Sequence, residues 1–192
     1  MSEPEQTARP KQTGETRLPG DPGPEALIAR MIRVDQAGEY GARRIYEGQL
    51  AVLGHSASGE TIRAMAEAER QHLEEIERLM IERRVRPTAL QPFWHVAGFA
   101  LGAATALMGE RAAMACTAAV EEVIEGHYQR QADQLGDDEA ALRARLERYG
   151  ADEAGHRQTA LAHEAELAPA YQPLTRAIKA GTRLAIWLSE RV

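Results

Sequence analysis

Met65 to Ile76 reads MAEAERQHLEEI and sets Glu69 and His72 in the order Glu-x-x-His. On a helix, residues three apart share a face, one a turn above the other. A carboxylate and an imidazole so placed can grip one metal ion. The rest of that face is apolar, with Ile62, Met65, Ile76 and Leu79 at helical spacing. A charged pair on an inward stripe is costly unless something partners it. The same order recurs further along, at Glu153 and His156.

The chain has 192 residues, enough for one domain with its own core. Ala, Leu, Glu and Arg are abundant and aromatic residues are few, a balance that favours helices over a sheet. A net charge of −6 makes nucleic acid a poor partner. The single cysteine, Cys116, lies in an apolar run and is expected to pack as a small buried side chain. One cysteine allows neither an internal disulfide nor a paired-cysteine metal site, which fits a reducing compartment. The start of the chain shows no apolar signal core, and Glu3, Glu5 and Glu15 argue against a mitochondrial transit peptide.

Residues Met1 to Pro24 are rich in Pro, Gly, Thr and charge, and are expected to form a disordered tail ahead of a single domain over 25–192. Periodicity then predicts a helix from Glu25 to Leu53 with the inward stripe Ile28, Ile32, Asp35, Glu39, Ala42, Tyr46 and Leu50. Gly54 to Gly59 is a turn. A second helix runs from Glu60 to Arg84 and stops before Pro87. Phe93 to Met108 is almost wholly uncharged, yet shorter than the roughly twenty residues a membrane span needs. It is read either as a buried core helix or as a segment lying on a membrane surface, with Phe93 and Trp94 at headgroup level. A third long helix covers Glu110 to Leu135, Gly136 to Asp138 turn the chain, and a fourth covers Glu139 to Glu166. Its stripe is Leu142, Leu146, Tyr149, Glu153, His156 and Ala160. Pro169 breaks the chain before a last helix from Leu174 to Leu188. The fold expected is all-α: a four-helix bundle with an apolar connector helix and a C-terminal accessory helix.

Six histidines among so many glutamates would give roughly one Glu-x-x-His by accident, so two alone decide little. Their setting decides more. Each lies mid-stripe on a long helix, and each follows a helix with an inward glutamate of its own. Glu39 precedes Glu69 by thirty residues, and Glu121 precedes Glu153 by thirty-two. Glu121 competes with Glu122, but its face carries Met114, Thr117, Ala118, Ile124 and Tyr128 and is the more apolar. One Glu from each of two helices and Glu-x-x-His from the other two is the ligand set of ferritin-like di-iron or di-manganese carboxylate bundles. Charge supplies the reason. Two carboxylates about 4 Å apart repel by roughly 4 kcal/mol at an effective dielectric of 20. Four converging in a core would not all stay ionised. Two divalent cations cancel four negative charges, and oxygen-rich ligation with two imidazoles suits iron or manganese better than structural zinc. Asp35, one turn before Glu39, is a candidate to orient a ligand histidine; His127 reads equally as a second such group or as a hydrogen-bonded core histidine, and Tyr128 and Tyr149 as core packing first and pocket lining second. His55, His95 and His163 are read as surface or packing residues.

Four stretches carry a resemblance to a known family: RVDQAGEYGARRIYEGQ (33–49), AMACTAAVEEVIEGHY (113–128), DEAGHR (152–157) and HEAELAPAYQPLTRAIKAGTRLAIWLSERV (163–192). They resemble the demethoxyubiquinone hydroxylases of ubiquinone biosynthesis, over Leu27 to Val192. The resemblance implies a ferritin-like di-iron monooxygenase that hydroxylates a polyprenylated methoxy-benzoquinol with O₂. Carried over by position, the ligands of two iron ions are Glu39, Glu69, His72, Glu121, Glu153 and His156, with Glu69 and Glu153 bridging. It also favours Glu121 over Glu122. Electrons are expected from a donor outside the bundle or, as relatives imply, from NADH, although no Gly-rich nucleotide fingerprint is present; relatives also imply a lipid-binding accessory protein. The acidic start favours a bacterial-type protein, peripheral on the cytoplasmic face of the cell membrane, with Phe93 to Met108 docking on the bilayer. Iron storage or peroxide scavenging on the same fold, and a metal-free helical adaptor, are the competing readings.

Overall fold

The computed structural model describes residues 23–192. The tail expected over Met1 to Pro24 lies outside the described residues except for Gly23 and Pro24, which cap and open the first helix. Six helices follow: α1 (Pro24–Leu53), α2 (Gly59–Arg83), α3 (Gln91–Leu107), α4 (Glu110–Ala132), α5 (Ala140–Ala162) and α6 (Tyr171–Ser189). Among the described residues there is no strand.

Where element bounds depart from the periodicity, the backbone gives the reason. α2 ends at Arg83 because Arg84 turns left-handed, φ 54°, and Val85 N–H reaches back to the Met80 carbonyl at 2.8 Å. α4 stops at Ala132, not Leu135, as its end tightens: Gln134 and Leu135 N–H bond to the carbonyls three residues back. A 3-10 turn, Asp137–Glu139, then precedes α5, which ends at Ala162 rather than Glu166. α6 begins three residues early, at Tyr171, and takes Pro173 into its first turn. A first-turn N–H has no acceptor within the helix, so proline there loses nothing.

The side-chain pairs fix the topology. α1 and α4 run antiparallel: Asp35 lies by His127, Tyr46 by Glu121 and Gln49 by Thr117. α2 and α5 are also antiparallel, pairing His72 with Asp152, Glu75 with Arg148 and Arg83 with Glu139. α3 runs parallel to α1, since Gly98 meets Gly41 while Gly102 meets Ile45. It is therefore the crossover that carries the chain back along α1 before α4 descends. Two glycines make that path possible. A Cβ on Gly102 would sit 1.9 Å from the Ile45 carbonyl oxygen, so only glycine lets the two backbones come so close. Gly109 turns α3 into α4 at φ 111°, a region that favours glycine.

The core lies on both sides of the bundle's midline. Ile32, Ile76, Leu146 and Tyr149 pack on one side; Tyr46, Ile62, Met65, Met114 and Ala160 pack on the other. Cys116 is fully buried there, as its sequence setting suggests. α3 is not a buried core helix. Only Gly102, Thr105 and Ala106 are covered, while Phe93, Val96 and Leu107 are 60 %, 65 % and 75 % exposed. Leu184 and Trp187 of α6 are likewise exposed. Trp94 Nε1 donates to Ser189 Oγ at 3.0 Å and ties the start of α3 to the end of α6. Among the described residues, no helix is long and apolar enough to cross a membrane.

Candidate metal centre

All six residues singled out by the pattern converge between α1, α2, α4 and α5. Glu39, Glu69, Glu121 and Glu153 are each no more than 2 % exposed, and His72 is buried. Their ligating atoms form two groups, each gathered within 4.8 Å: Glu39, Glu69, His72 and Glu153, and Glu69, Glu121, Glu153 and His156. Glu69 and Glu153 belong to both. Glu122, the competitor of Glu121, instead faces outward and pairs with Lys179 at 2.6 Å.

The atoms at the centre lack partners. Glu39 Oε2, Glu69 Oε1, His72 Nδ1, Glu121 Oε2 and Glu153 Oε1 are buried and form no hydrogen bond. Unmet polar atoms in a core cost about 1–3 kcal/mol each, more when charged. Five of them facing one another make sense as the inner surface of a cation site, and the donor set is right for iron or manganese. The proton equilibria agree. Burial, then Glu153 and Glu39, push the Glu69 carboxyl well above its usual range, and burial and Glu153 do the same to Glu121. Burial also works against ionised Glu153, but the hydrogen bond from His156 and the His72 imidazole 3.4 Å away outweigh it and hold that carboxyl down at about 2. His72 is the converse: burial opposes its charge, yet Glu153 and Glu39 raise it to about 10. A metal-free centre thus holds protons where cations would otherwise supply the positive charge.

Outer groups hold the ligands in place. Tyr46 donates to Glu121 Oε1 at 2.7 Å, and Tyr128 donates to Glu39 Oε1. Each tyrosine engages one carboxylate oxygen and leaves the other turned to the centre. The Tyr149 ring stacks on His72, centroids 4.4 Å apart, while its hydroxyl turns away to Glu75 at 3.1 Å. Sequence reading placed Tyr46 on the inward stripe without a role, although Tyr46 and Tyr128 each stand seven residues after an inward glutamate. It missed Asp152, whose Oδ2 lies 3.0 Å from His72 Nε2. One expectation is corrected. Asp35 is buried but meets His127, Oδ1 to Nε2 at 3.5 Å, and not a ligand histidine. The α1–α4 pairing sets Asp35 one turn beyond the centre, so α5 supplies the carboxylate to His72 instead. His95 and His163 stay outside the centre, against Tyr40 and Thr61.

Four helices, inward glutamates and two Glu-x-x-His pairs define a helical bundle of the ferritin-like, carboxylate–histidine metal-binding class. Within that class the chain belongs to the family described as ubiquinone biosynthesis protein COQ7, whose model matches residues 26–189. It is 58 % identical over 183 residues to the 3-demethoxyubiquinol 3-hydroxylase of Rhodospirillum rubrum, covering 95 % of this chain and 86 % of that one. It is 50 % identical to the human NADPH-dependent 3-demethoxyubiquinone 3-hydroxylase, mitochondrial, covering 87 % of this chain and 79 % of the relative. The 5-demethoxyubiquinone hydroxylase, mitochondrial, of Saccharomyces cerevisiae is 39 % identical, over 87 % and 79 % of the two chains.

Proposed function

We propose that this protein is an O₂-dependent monooxygenase of ubiquinone biosynthesis that hydroxylates the ring of a polyprenylated methoxy-benzoquinol. The relatives named as demethoxyubiquinol and demethoxyubiquinone hydroxylases support the reaction. The observation that carries the site is that the two four-donor groups share Glu69 and Glu153. In this reading Glu39 and His72 would hold one iron ion and Glu121 and His156 a second, with Glu69 and Glu153 available to both. The chemistry such a pair supplies when bound is the activation of O₂ for insertion of one oxygen atom into the substrate ring.

The chain's own residues do the rest. The packed stripes of the four helices keep water from the centre, and Tyr46 and Tyr128 hold the end carboxylates in register. The uncovered apolar side of α3, together with the exposed Leu184 and Trp187 of α6, suits a substrate with a long prenyl tail. Peripheral docking of that surface on the cytoplasmic face of the cell membrane would present the bundle to the quinol. A lipid-binding accessory protein would meet the same surface. Electrons come from a reduced nicotinamide; NADH is the donor expected, and the mitochondrial relatives are named as NADPH-dependent. Iron storage or peroxide scavenging, the other use of such a bundle, gains no support from the relatives.

Replacing Glu153 with Ala removes a ligand common to both groups. Bound iron and quinol hydroxylation are then expected to fall together to background. Wild-type turnover by a folded Glu153→Ala protein contradicts the assignment.

A further inference from the structure

The centre is built as an approximate two-fold repeat. Glu39, Tyr46 and Gln49 on α1 match Glu121, Tyr128 and Gln131 on α4 at the same spacing, and Glu69-x-x-His72 matches Glu153-x-x-His156. Each tyrosine donates to the opposite helix's glutamate. The repeat breaks at Tyr149, which stacks on His72 where α2 carries Met65 at the matching position, and again at the hydrogen bond to the outer nitrogen of a ligand histidine. His72 turns Nδ1 inward, 3.4 Å from Glu153 and 3.6 Å from Glu39, and its outer Nε2 lies 3.0 Å from Asp152. Asp152 directly precedes Glu153; the residue directly preceding Glu69 is Ala68, whose methyl accepts no hydrogen bond. His156 also turns Nδ1 inward, 3.0 Å from Glu69 and 3.2 Å from Glu153. Among the described residues, no side chain hydrogen-bonds to its Nε2.

We infer that the two metal positions are unequal: Asp152 is a positioning residue that makes the Glu39–His72 position the tighter, and the Glu121–His156 position is the more easily emptied. The inference rests on the dinuclear reading above. A carboxylate on the outer nitrogen holds the proton there, leaves the lone pair of Nδ1 for the metal and fixes the plane of the ring. Loss of such a partner typically costs about 10- to 100-fold in metal affinity. His156 has a free ring edge and must supply that orientation from packing alone. The exposed place of Asp152 on α5 means that its removal leaves the core untouched.

The test is an oxygen-free titration of the metal-free full chain with Mn(II), reading free and bound ion by electron paramagnetic resonance. Two cations sharing carboxylates bind in two steps even at matched positions, because the first repels the second. The variants therefore decide. Asp152→Ala is expected to weaken the first step about 10- to 100-fold and leave the second in place. Ala68→Asp restores the repeat at this one position and is expected to tighten the second step, leaving the first. Thermal unfolding of both metal-free variants should match wild type, which separates ligand orientation from loss of fold. An unchanged first step in Asp152→Ala, or an unchanged second step in Ala68→Asp, overturns the inference. Failure of the wild-type chain to bind Mn(II) at all overturns the dinuclear reading itself.

Discussion

Glu121 and Glu122 are neighbours in the chain with opposite fates: one lies in the centre, the other against Lys179 on the surface. A 100° step along a helix separates them, and the apolar company of Glu121 was enough to choose between them. All six inward residues were legible in this way, because a charge on an apolar stripe stands out. The residues that hold them were not. Tyr46 looks like core packing in the sequence, and Asp152 looks like any exposed helix charge; their roles depend on partners 75 and 80 positions away. The Tyr46 hydroxyl is the donor to one oxygen of a carboxylate that has no other. Tyr46→Phe should therefore lower metal affinity by about 10- to 100-fold while the ring still fills its place. A metal titration against wild type checks this, and an unchanged isotherm would remove Tyr46 from the support of the centre.

At the scale of elements, helix existence followed from periodicity, while helix ends followed from local geometry the pattern does not encode. The left-handed turn at Arg84 and the 3-10 turns flanking α5 are of that kind. The position of α3 was also beyond the pattern. An uncharged run of that length reads equally as core or as surface, and the outcome hinges on Gly98 and Gly102, which seat it against α1 by one edge only. The rest of its apolar side is left open. If that side docks on lipid, Phe93→Glu combined with Leu107→Glu should cut binding to lipid vesicles at least ~10-fold in a flotation assay. Stability should stay within about 0.5 kcal/mol, since neither side chain is covered. Undiminished flotation would assign the open face of α3 another purpose.

For the molecule as a whole, the topology is that of two antiparallel pairs closed around a polar centre, with α3 carrying the chain between them. Such a centre taxes the metal-free fold, because its buried carboxyls and unmet polar atoms face one another. Ions that bind only the folded chain stabilise it by mass action, about 2.7 kcal/mol at a hundred times the dissociation constant. For a chain of this size that amounts to a rise in Tm of roughly 5–10 °C. Calorimetry before and after removing metal with a chelator should show that fall and its reversal on adding Fe(II). A Tm indifferent to metal would mean that the fold tolerates its buried charges without cations.

The central claim is that four glutamates share a core because two iron ions lie among them. It is tested most directly by the metal content of the chain after anaerobic loading with Fe(II) and removal of excess. The account predicts about two irons per chain, reduced to background by Glu69→Ala and Glu153→Ala alike. Iron absent from the wild-type chain, or retained in full when both of the shared glutamates are gone, would contradict it.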